Sequence, residues 1–473
     1  MSQASPFTTR SATALANERL QRALADVPGG FVAGRARAKA ALPEFEALRR
    51  TGRDIKDHAL AHLDLYLEEF ERNATAAGSM VHWAPTAADA CDIVLGICRE
   101  AGARVVTKSK SMVSEEIGLN ARLEAGGLEV VETDLGEYVI QLRGETPSHL
   151  IAPVIHLSTA DIAEDFLRHH DHLPPDRDTS SPAVLIAEAR GILRPKFLAA
   201  DVGITGANLL VAKTGSAIVV TNEGNADLTL TLPRVHIVVT SIEKVVPTLD
   251  DAWALLRLLA RSATGQEITA YTTLVTGPRR AGDPDGPEEC HVVLVDNGRS
   301  ELLGSGMREV LRCIRCGACM NHCPVYCSVG GHAYGSIYAG PIGAVLSPAL
   351  VGVQEAGELA QASTFCGRCE QVCPVEIPLV KLMRQWREVA FGEPGDGRSK
   401  LLLRVWAFLA QRPRLYHAAA RMGTAALRAF ARGRGTVSRL PFAEAWTRYR
   451  DLPAPQGATF QARWARRQRE ETQ

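Results

Sequence analysis

The residue type best placed to do chemistry in this chain is cysteine. There are eleven, and eight of them lie between Cys313 and Cys373. Cys313-Ile-Arg-Cys316-Gly-Ala-Cys319-Met-Asn-His-Cys323-Pro324 spells C-x2-C-x2-C-x3-C-P, the bacterial iron–sulfur spacing. Three thiolates on one tight loop each reach a different iron of one cubane, and the fourth starts the next segment and points at a second cluster. The proline ends the loop and fixes the chain direction. A second motif, Ser363-Thr-Phe-Cys366-Gly-Arg-Cys369-Glu-Gln-Val-Cys373-Pro374, aligns with the first on its proline, with Ser363 in place of the first cysteine. Crossed ligation then assigns Cys313, Cys316, Cys319 and Cys373 to cluster one, and Cys323, Cys366 and Cys369 to cluster two. The expected cofactors are two [4Fe–4S] clusters.

Zinc is the competing use of such a cluster of cysteines. It takes four ligands from two C-x2-C pairs and has no use for a C-x2-C-x2-C run. A disulfide framework belongs to a small secreted domain rather than to one segment of a large chain. Cys91, Cys98 and Cys290 have apolar neighbours and read as buried packing residues. Cluster two is one ligand short. Cys327, four residues after Cys323, could supply it, and so could Ser363 as an alkoxide, although oxygen matches iron among sulfides less well. A partner subunit, a small ligand or water could fill the position instead, and a three-iron or labile cluster is the remaining alternative.

The elements that position these residues follow from composition and pattern. The chain has 473 residues, which at ~150 per domain gives about three domains. Hydrophobic residues make up 46%, which argues against general disorder. Residues 1–75 carry apolar positions at helical spacing. Residues 76–300 alternate between strand-length apolar runs (104–107, 129–133, 138–142, 208–212, 217–221, 235–240, 268–275 and 292–295) and helices at 87–100 and 183–193, which predicts an α/β domain with a largely buried sheet. Residues 301–395 form the cysteine-rich domain, with short helices between glycine-rich loops, and 393–397 read as a linker. Residues 396–473 form a helical extension. No apolar run approaches the ~20 residues that span a bilayer, and residues 1–10 have no signal-peptide pattern, so a cytoplasmic location is expected, with peripheral contact at a membrane as an option.

Several runs outside the cysteine segment invite a functional reading. Thr107-Lys-Ser-Lys-Ser111 follows a strand and could hold a carboxylate or phosphate, or be a solvated loop. Turns at Gly203-Ile-Thr-Gly206, Lys213-Thr-Gly215 and Asn222-Glu223-Gly224-Asn225 sit at strand ends, where ligands of open α/β sheets bind, though turn chemistry accounts for them equally well. Glu223 is a catalytic candidate by fold analogy only. His156 reads as a hydrogen-bonded core histidine, and His169, His170 and His172 as a surface cluster. His332 and Tyr334 either shape the cluster surface or pack their loop. There is no G-x-G-x-x-G in a strand–turn–helix setting, so flavin or NAD on this chain is not expected.

The segment 315–326, then Gly330-Gly-His-Ala-Tyr-Gly335, Tyr338-Ala-Gly-Pro-Ile-Gly343 and residues 366–378, strongly resembles lactate utilisation protein B, the iron–sulfur subunit of a three-protein bacterial system that oxidises L-lactate to pyruvate. Residues 197–208 and Thr221-Asn-Glu-Gly-Asn225 resemble that family's LUD domain. The resemblance implies a fold related to sugar-phosphate isomerases and CoA transferases (NagB/RpiA-like), followed by a helical ferredoxin-type two-cluster domain and a basic helical extension. Cys327 departs from the family pattern. The resemblance further implies an electron-transfer subunit of an NAD-independent oxidoreductase rather than a stand-alone catalyst. Its partners would be a cysteine-rich subunit, a smaller LUD-domain subunit and a downstream electron acceptor. Iron–sulfur chemistry on another 2-hydroxy acid such as glycolate, an autonomous enzyme, and a redox-sensing regulator are the alternatives.

Lys+Arg and Asp+Glu both number 53, yet from Asp396 onward there are 16 basic against 5 acidic residues, an excess of 16 − 5 = +11. The balanced total hides a basic extension on an acidic body. Apolar residues at 401–403, 405, 406, 409, 415, 422 and 427 alternate with arginines, an amphipathic pattern that suits docking on an acidic partner. No nucleic-acid motif accompanies the charge. Deleting residues 396–473 is expected to leave the clusters formed but weaken partner association, with the largest loss at low salt. An affinity unchanged at low salt would refute the docking role.

Overall fold

The seven residues Val235–Ser241 are all buried, and they form the spine of the α/β domain. In this computed structural model, which describes residues 6–393, 397–431, 433–440, 447 and 450–472, the described residues of that domain place ten strands in two sheets. They are β1 (Met80–Ala84), β2 (Val105–Lys108), β3 (Glu129–Glu132), β4 (Val202–Thr205), β5 (Leu209–Val211), β6 (Ser216–Thr221), β7 (Val235–Ser241), β8 (Val245–Val246), β9 (Tyr271–Val275) and β10 (Glu289–Val295). The main sheet has the order β1-β10-β7-β4-β2-β3, and every pairing in it is parallel. A smaller sheet, β8-β5-β6-β9, mixes parallel and antiparallel pairs.

Both faces of the main sheet are apolar, as a covered parallel sheet requires. Val235, Ile237, Val239, Val293 and Val295 pack under the helix Ala87–Glu100, with Cys91 and Cys98. Val238, Cys290, Val292 and Leu294 face the other way, toward Leu67, Phe70 and Ala74 of the helix Leu63–Ala76. The three isolated cysteines are therefore packing residues, as expected. Helix starts are set by side-chain caps: Thr86 with Asp89, Ser158 with Asp161, and Thr248 with Asp251 form reciprocal capping boxes.

One expected strand is absent. Residues 138–142 belong to a helix, Leu135–Arg143, because Asp134 accepts the Glu137 amide at its start and Gly144, at φ 63°, ends it. A short apolar run alone does not separate a buried strand from a buried helix, and here the cap decides. Strands β1, β4 and β8 lie outside the runs expected from the sequence. After β2 the chain forms two short helices, Met112–Glu116 and Leu119–Ala125, separated at Gly118 with φ 67°.

Met1–Ala390 forms one compact unit. Within it the cysteine segment shares a continuous apolar core with the α/β domain and the N-terminal helices. Leu255 and Leu258 of the helix Leu249–Ala263, Phe45 and Leu48 of the helix Phe45–Ala61, and Leu346, Val375 and Leu382 all belong to it. Phe391–Gln473 forms a second unit. Its helices Gly397–Ala410 and Pro413–Ala431 expose Leu402, Trp406, Phe408 and Met422. Most of the expected linker at 393–397 lies outside the described residues. Among the described residues no helix is long and apolar enough to cross a membrane.

Lys108 ends β2 fully buried, with its ammonium 2.8 Å from Glu115 and 2.7 Å from Glu132. Removing one partner of a buried ion pair leaves uncompensated charge. Lys108→Met is therefore expected to cost about 3–5 kcal/mol, read as a lower urea midpoint for the α/β domain. An unchanged midpoint would show that the two carboxylates find other compensation.

Candidate iron–sulfur centre

The two cysteine loops repeat one backbone conformation. Arg315 and Phe365, each just before a cysteine, have φ of 60° and 52°, a left-handed conformation that is unfavourable for side chains larger than glycine. Gly317 and Gly367, each just after that cysteine, have φ of 71° and 79°. The turn aims an amide back at the start of the motif. The Arg315 N–H donates to Cys313 Sγ at 3.4 Å, and the Phe365 N–H donates to Ser363 Oγ at 3.1 Å. Ser363 thus occupies in the second loop the place that Cys313 holds in the first.

The fold gathers the thiols in two groups. Cys313, Cys316, Cys319 and Cys373 line one small cavity, walled otherwise by apolar residues such as Leu150, Ile342 and Val375. Cys316 and Cys373 are buried and the other two partly so. Burial pushes the Cys316 thiol up to about 12, and Cys373 and Cys313 add to the rise. Cys373 is held at about 11 by burial, against backbone N–H groups of Ile377 and Val375 that favour its thiolate. The second group is Cys323, Cys366 and Cys369. Cys369 is raised to about 12 by burial and then by Cys323, and Cys366 contributes to raising Cys323. Cys366 is exposed, and the Arg368 backbone N–H lowers its pKa. A set of buried, mutually repelling thiols suits a cationic iron core that replaces their protons, so the donor chemistry fits the group the motifs imply.

Of the two candidates for the missing position, Cys327 is partly buried, and its thiol donates to the Asn321 carbonyl at 3.4 Å. Among the cysteines, only Cys323 perturbs it. Tyr334 is buried and its hydroxyl donates to the Cys323 sulfur, so it does reach the cysteine site. His332 is exposed, pairing with the Thr146 carbonyl at 2.7 Å.

Residues outside the cysteine segment hold these loops. Arg49 donates through Nε and Nη2 to the Cys373 carbonyl, at 3.0 and 2.9 Å. Arg35 Nη2 donates to the Val372 carbonyl at 2.8 Å. Both lie in the N-terminal helices, where the sequence showed no chemistry. From the α/β side, the Tyr326 hydroxyl donates to the Ser148 carbonyl at 2.7 Å. His149 is buried against Gly317, receives the Ile151 and Ala152 amides on Nδ1 and pairs through Nε2 with Asn321 Oδ1 at 2.8 Å. Burial takes its pKa down to about 4, so it is a neutral spacer.

A charged network joins the carboxyl end of the sheet to the first loop. Fully buried Arg299 pairs with Glu116 at 2.7 Å and Glu243 at 2.8 Å. Arg315 Nη2 lies 3.4 Å from Glu243, and its guanidinium stacks 4.6 Å over the Tyr338 ring. The Tyr338 hydroxyl donates to Glu116 at 2.7 Å. Lys56 donates to the Glu243 carbonyl. Burial takes Lys56 and Lys244 down to about 8, with Glu243 and Cys313 opposing the fall in both.

The remaining sequence candidates separate. His156 is half-buried and bonded to Ser148 and Glu145, at 2.8 and 2.9 Å. His170 is not on the surface: it is buried, bonded to the Tyr138 hydroxyl at 2.9 Å and to Glu188 at 2.6 Å. The helix that replaces the expected strand at 138–142 supplies that partner. His169 and His172 are exposed. In the run 107–111, Lys108 is internal, whereas Ser109, Lys110 and Ser111 line a crevice that also contains Glu223. Burial and then Asp134 push Glu223 above the usual carboxylate range.

Known proteins match this organisation along the whole chain. Residues 67–295 match the LUD domain, residues 309–377 the 4Fe-4S dicluster domain, and residues 391–469 the C-terminal domain of lactate utilisation protein B. Lactate utilization protein B of Bacillus licheniformis is 42% identical over 458 residues, 96% of this chain and 95% of that protein. The Geobacillus sp. (strain WCH70) protein of the same name is 43% identical over the same shares of both chains. A protein of Escherichia coli (strain K12) named "Uncharacterized electron transport protein YkgF" is 41% identical, covering 98% of this chain and 97% of its own. A solved DUF162-family protein from Deinococcus radiodurans, 16% identical, covers 49% of this chain and 98% of its own at a TM-score of 0.28, too low to bear on the fold. With a mixed α/β domain, an iron–sulfur cysteine segment and full-length identity above 40%, the chain belongs to the lactate utilization protein B family.

Proposed function

We propose that this chain is the electron-transfer subunit of an L-lactate-oxidising system and carries two [4Fe–4S] clusters. Cys313, Cys316, Cys319 and Cys373 would hold the first, and Cys323, Cys366 and Cys369 the second. The observation that carries the reading is the gathering of the thiols into these two groups across two loops. When bound, each cluster supplies a one-electron redox centre. Ser363 is the favoured fourth ligand of the second, because it accepts the same backbone N–H that Cys313 accepts in the first loop, whereas the Cys327 thiol is engaged with Asn321.

The protein's part is positioning and charge. Arg35 and Arg49 fix the Cys373 turn, the 148–152 loop seats the first cysteine loop, and the buried cations near Cys313 offset the anionic character of a thiolate-ligated cluster. The two groups differ in access. The first is largely buried, walled by the cysteine segment and by Leu150 of the α/β domain, and the second reaches the surface at Cys366, where a partner subunit or downstream acceptor can approach. The lactate substrate is supported by the names of the relatives, and the sister subunits by membership of the family.

The test is anaerobic reconstitution with the sister proteins, followed by EPR on adding L-lactate. A reduced-cluster signal from this chain is expected. Turnover of lactate with neither cluster reduced would refute the electron-transfer role, and reduction by glycolate but not L-lactate would reassign the substrate.

A further inference from the structure

The carboxyl edge of the main sheet carries a second feature that the cysteines do not explain. The chain runs outward from β2 to β3 and returns to the other side of β2 as β4. A crevice outside the carboxyl ends of strands at such a reversal is where open α/β sheets bind ligands. Here it is a cavity of about 240 Å³, bordered by the segments that follow β2, β4, β6 and β7.

Its charged lining has two ends. Lys110, Asp134 and Glu223 interact with one another at one end. Lys244 and Arg315 form the other, toward Cys313. These two cations are short of partners. Lys244 is 5% exposed, and its ammonium makes no hydrogen bond or ion pair among the described residues. The Arg315 side chain is 10% exposed, and its Nε and Nη1 have no hydrogen-bond partner. Buried donors without acceptors are costly, and both residues border the cavity. Leu150 borders both this crevice and the cavity of the first four cysteines, so the two spaces share a wall.

We propose that this crevice is a binding site for a small carboxylate, with Lys244 and Arg315 engaging the carboxylate group beside the first cysteine group. An ammonium and a guanidinium with free donors match a carboxylate by charge and by hydrogen bonding. Lys110 and Glu223 at the mixed end offer a donor and an acceptor to a hydroxyl or keto group. The proposal deepens the reading above by placing a 2-hydroxy acid on this chain, and it rests on that reading for the substrate class alone. The rival role for the two cations is compensation of the cluster's charge only.

The test uses the anaerobically prepared full chain, with iron and sulfide content measured on each sample. It is titrated calorimetrically with L-lactate, glycolate and inorganic phosphate. Saturable one-site binding of L-lactate or glycolate is expected, at least tenfold tighter than phosphate. Lys244→Met is expected to weaken it tenfold or more, compared with wild type at matched iron content. Ala207→Leu, which fills the crevice without altering charge, is expected to do the same and serves if Lys244→Met does not fold. No saturable carboxylate binding, binding of phosphate alone, or wild-type affinity in a folded variant would overturn the site. Low iron with carboxylate binding intact would count against the two-cluster reading and leave the site standing.

Discussion

Placing anionic sulfur in an apolar interior is the constraint on which the rest of this structure turns. Four thiols share one largely buried cavity, and burial raises the cost of every charge they carry. The surrounding structure meets that cost with fixed positive groups. Arg315 is built into the first cysteine loop, Lys56 comes from an N-terminal helix, and Lys244 follows the central strand. Glu243 keeps these cations from repelling one another. It is buried yet held at about 2, by Arg299 first and Arg315 next. The charges that let a cysteine-rich loop sit in the interior therefore come from the loop itself, the N-terminal helices and the α/β domain together.

This coupling explains why the cysteine segment has no separate core. Its residues pack in one cluster with the helix Leu249–Ala263 and the N-terminal helix Phe45–Ala61. Backbone carbonyls on both sides are tied by side chains from the other part: Arg35 and Arg49 reach the second cysteine motif, and Tyr326 reaches the 148–152 loop. Left-handed backbone at Arg315 and Phe365 persists because each loop is held this way, and each conformation returns an amide to the first residue of its motif, Cys313 or Ser363.

The cysteine motifs were legible in the sequence because their chemistry is local: ligand spacing along a few residues sets what one loop can wrap. The alignment that put Ser363 in the place of a cysteine rested on the same locality, and the shared amide contact supports it. Runs buried on both faces, 235–240 and 292–295, stood out in the sequence as apolar, largely β-branched stretches. What stayed hidden depends on distant partners. Nothing around Arg35 or Arg49 distinguishes them from surface residues of an amphipathic helix, and their roles exist only once Cys373 is folded beside them. Lys244 sits in an ordinary strand-end sequence, and its free ammonium is visible only in the assembled crevice. The run at 138–142 was ambiguous for a local reason: the Asp134 cap outweighs the β-branched content.

The central claim is that two loops cross-contribute to two distinct clusters. Its most direct measurement is EPR and iron–sulfide analysis of anaerobically isolated, dithionite-reduced protein, alongside Cys316→Ser and Cys369→Ser. The account predicts two [4Fe–4S] signals, about eight irons per chain, and loss of a different signal in each variant. A single cluster per chain, or loss of the same signal in both variants, would contradict it.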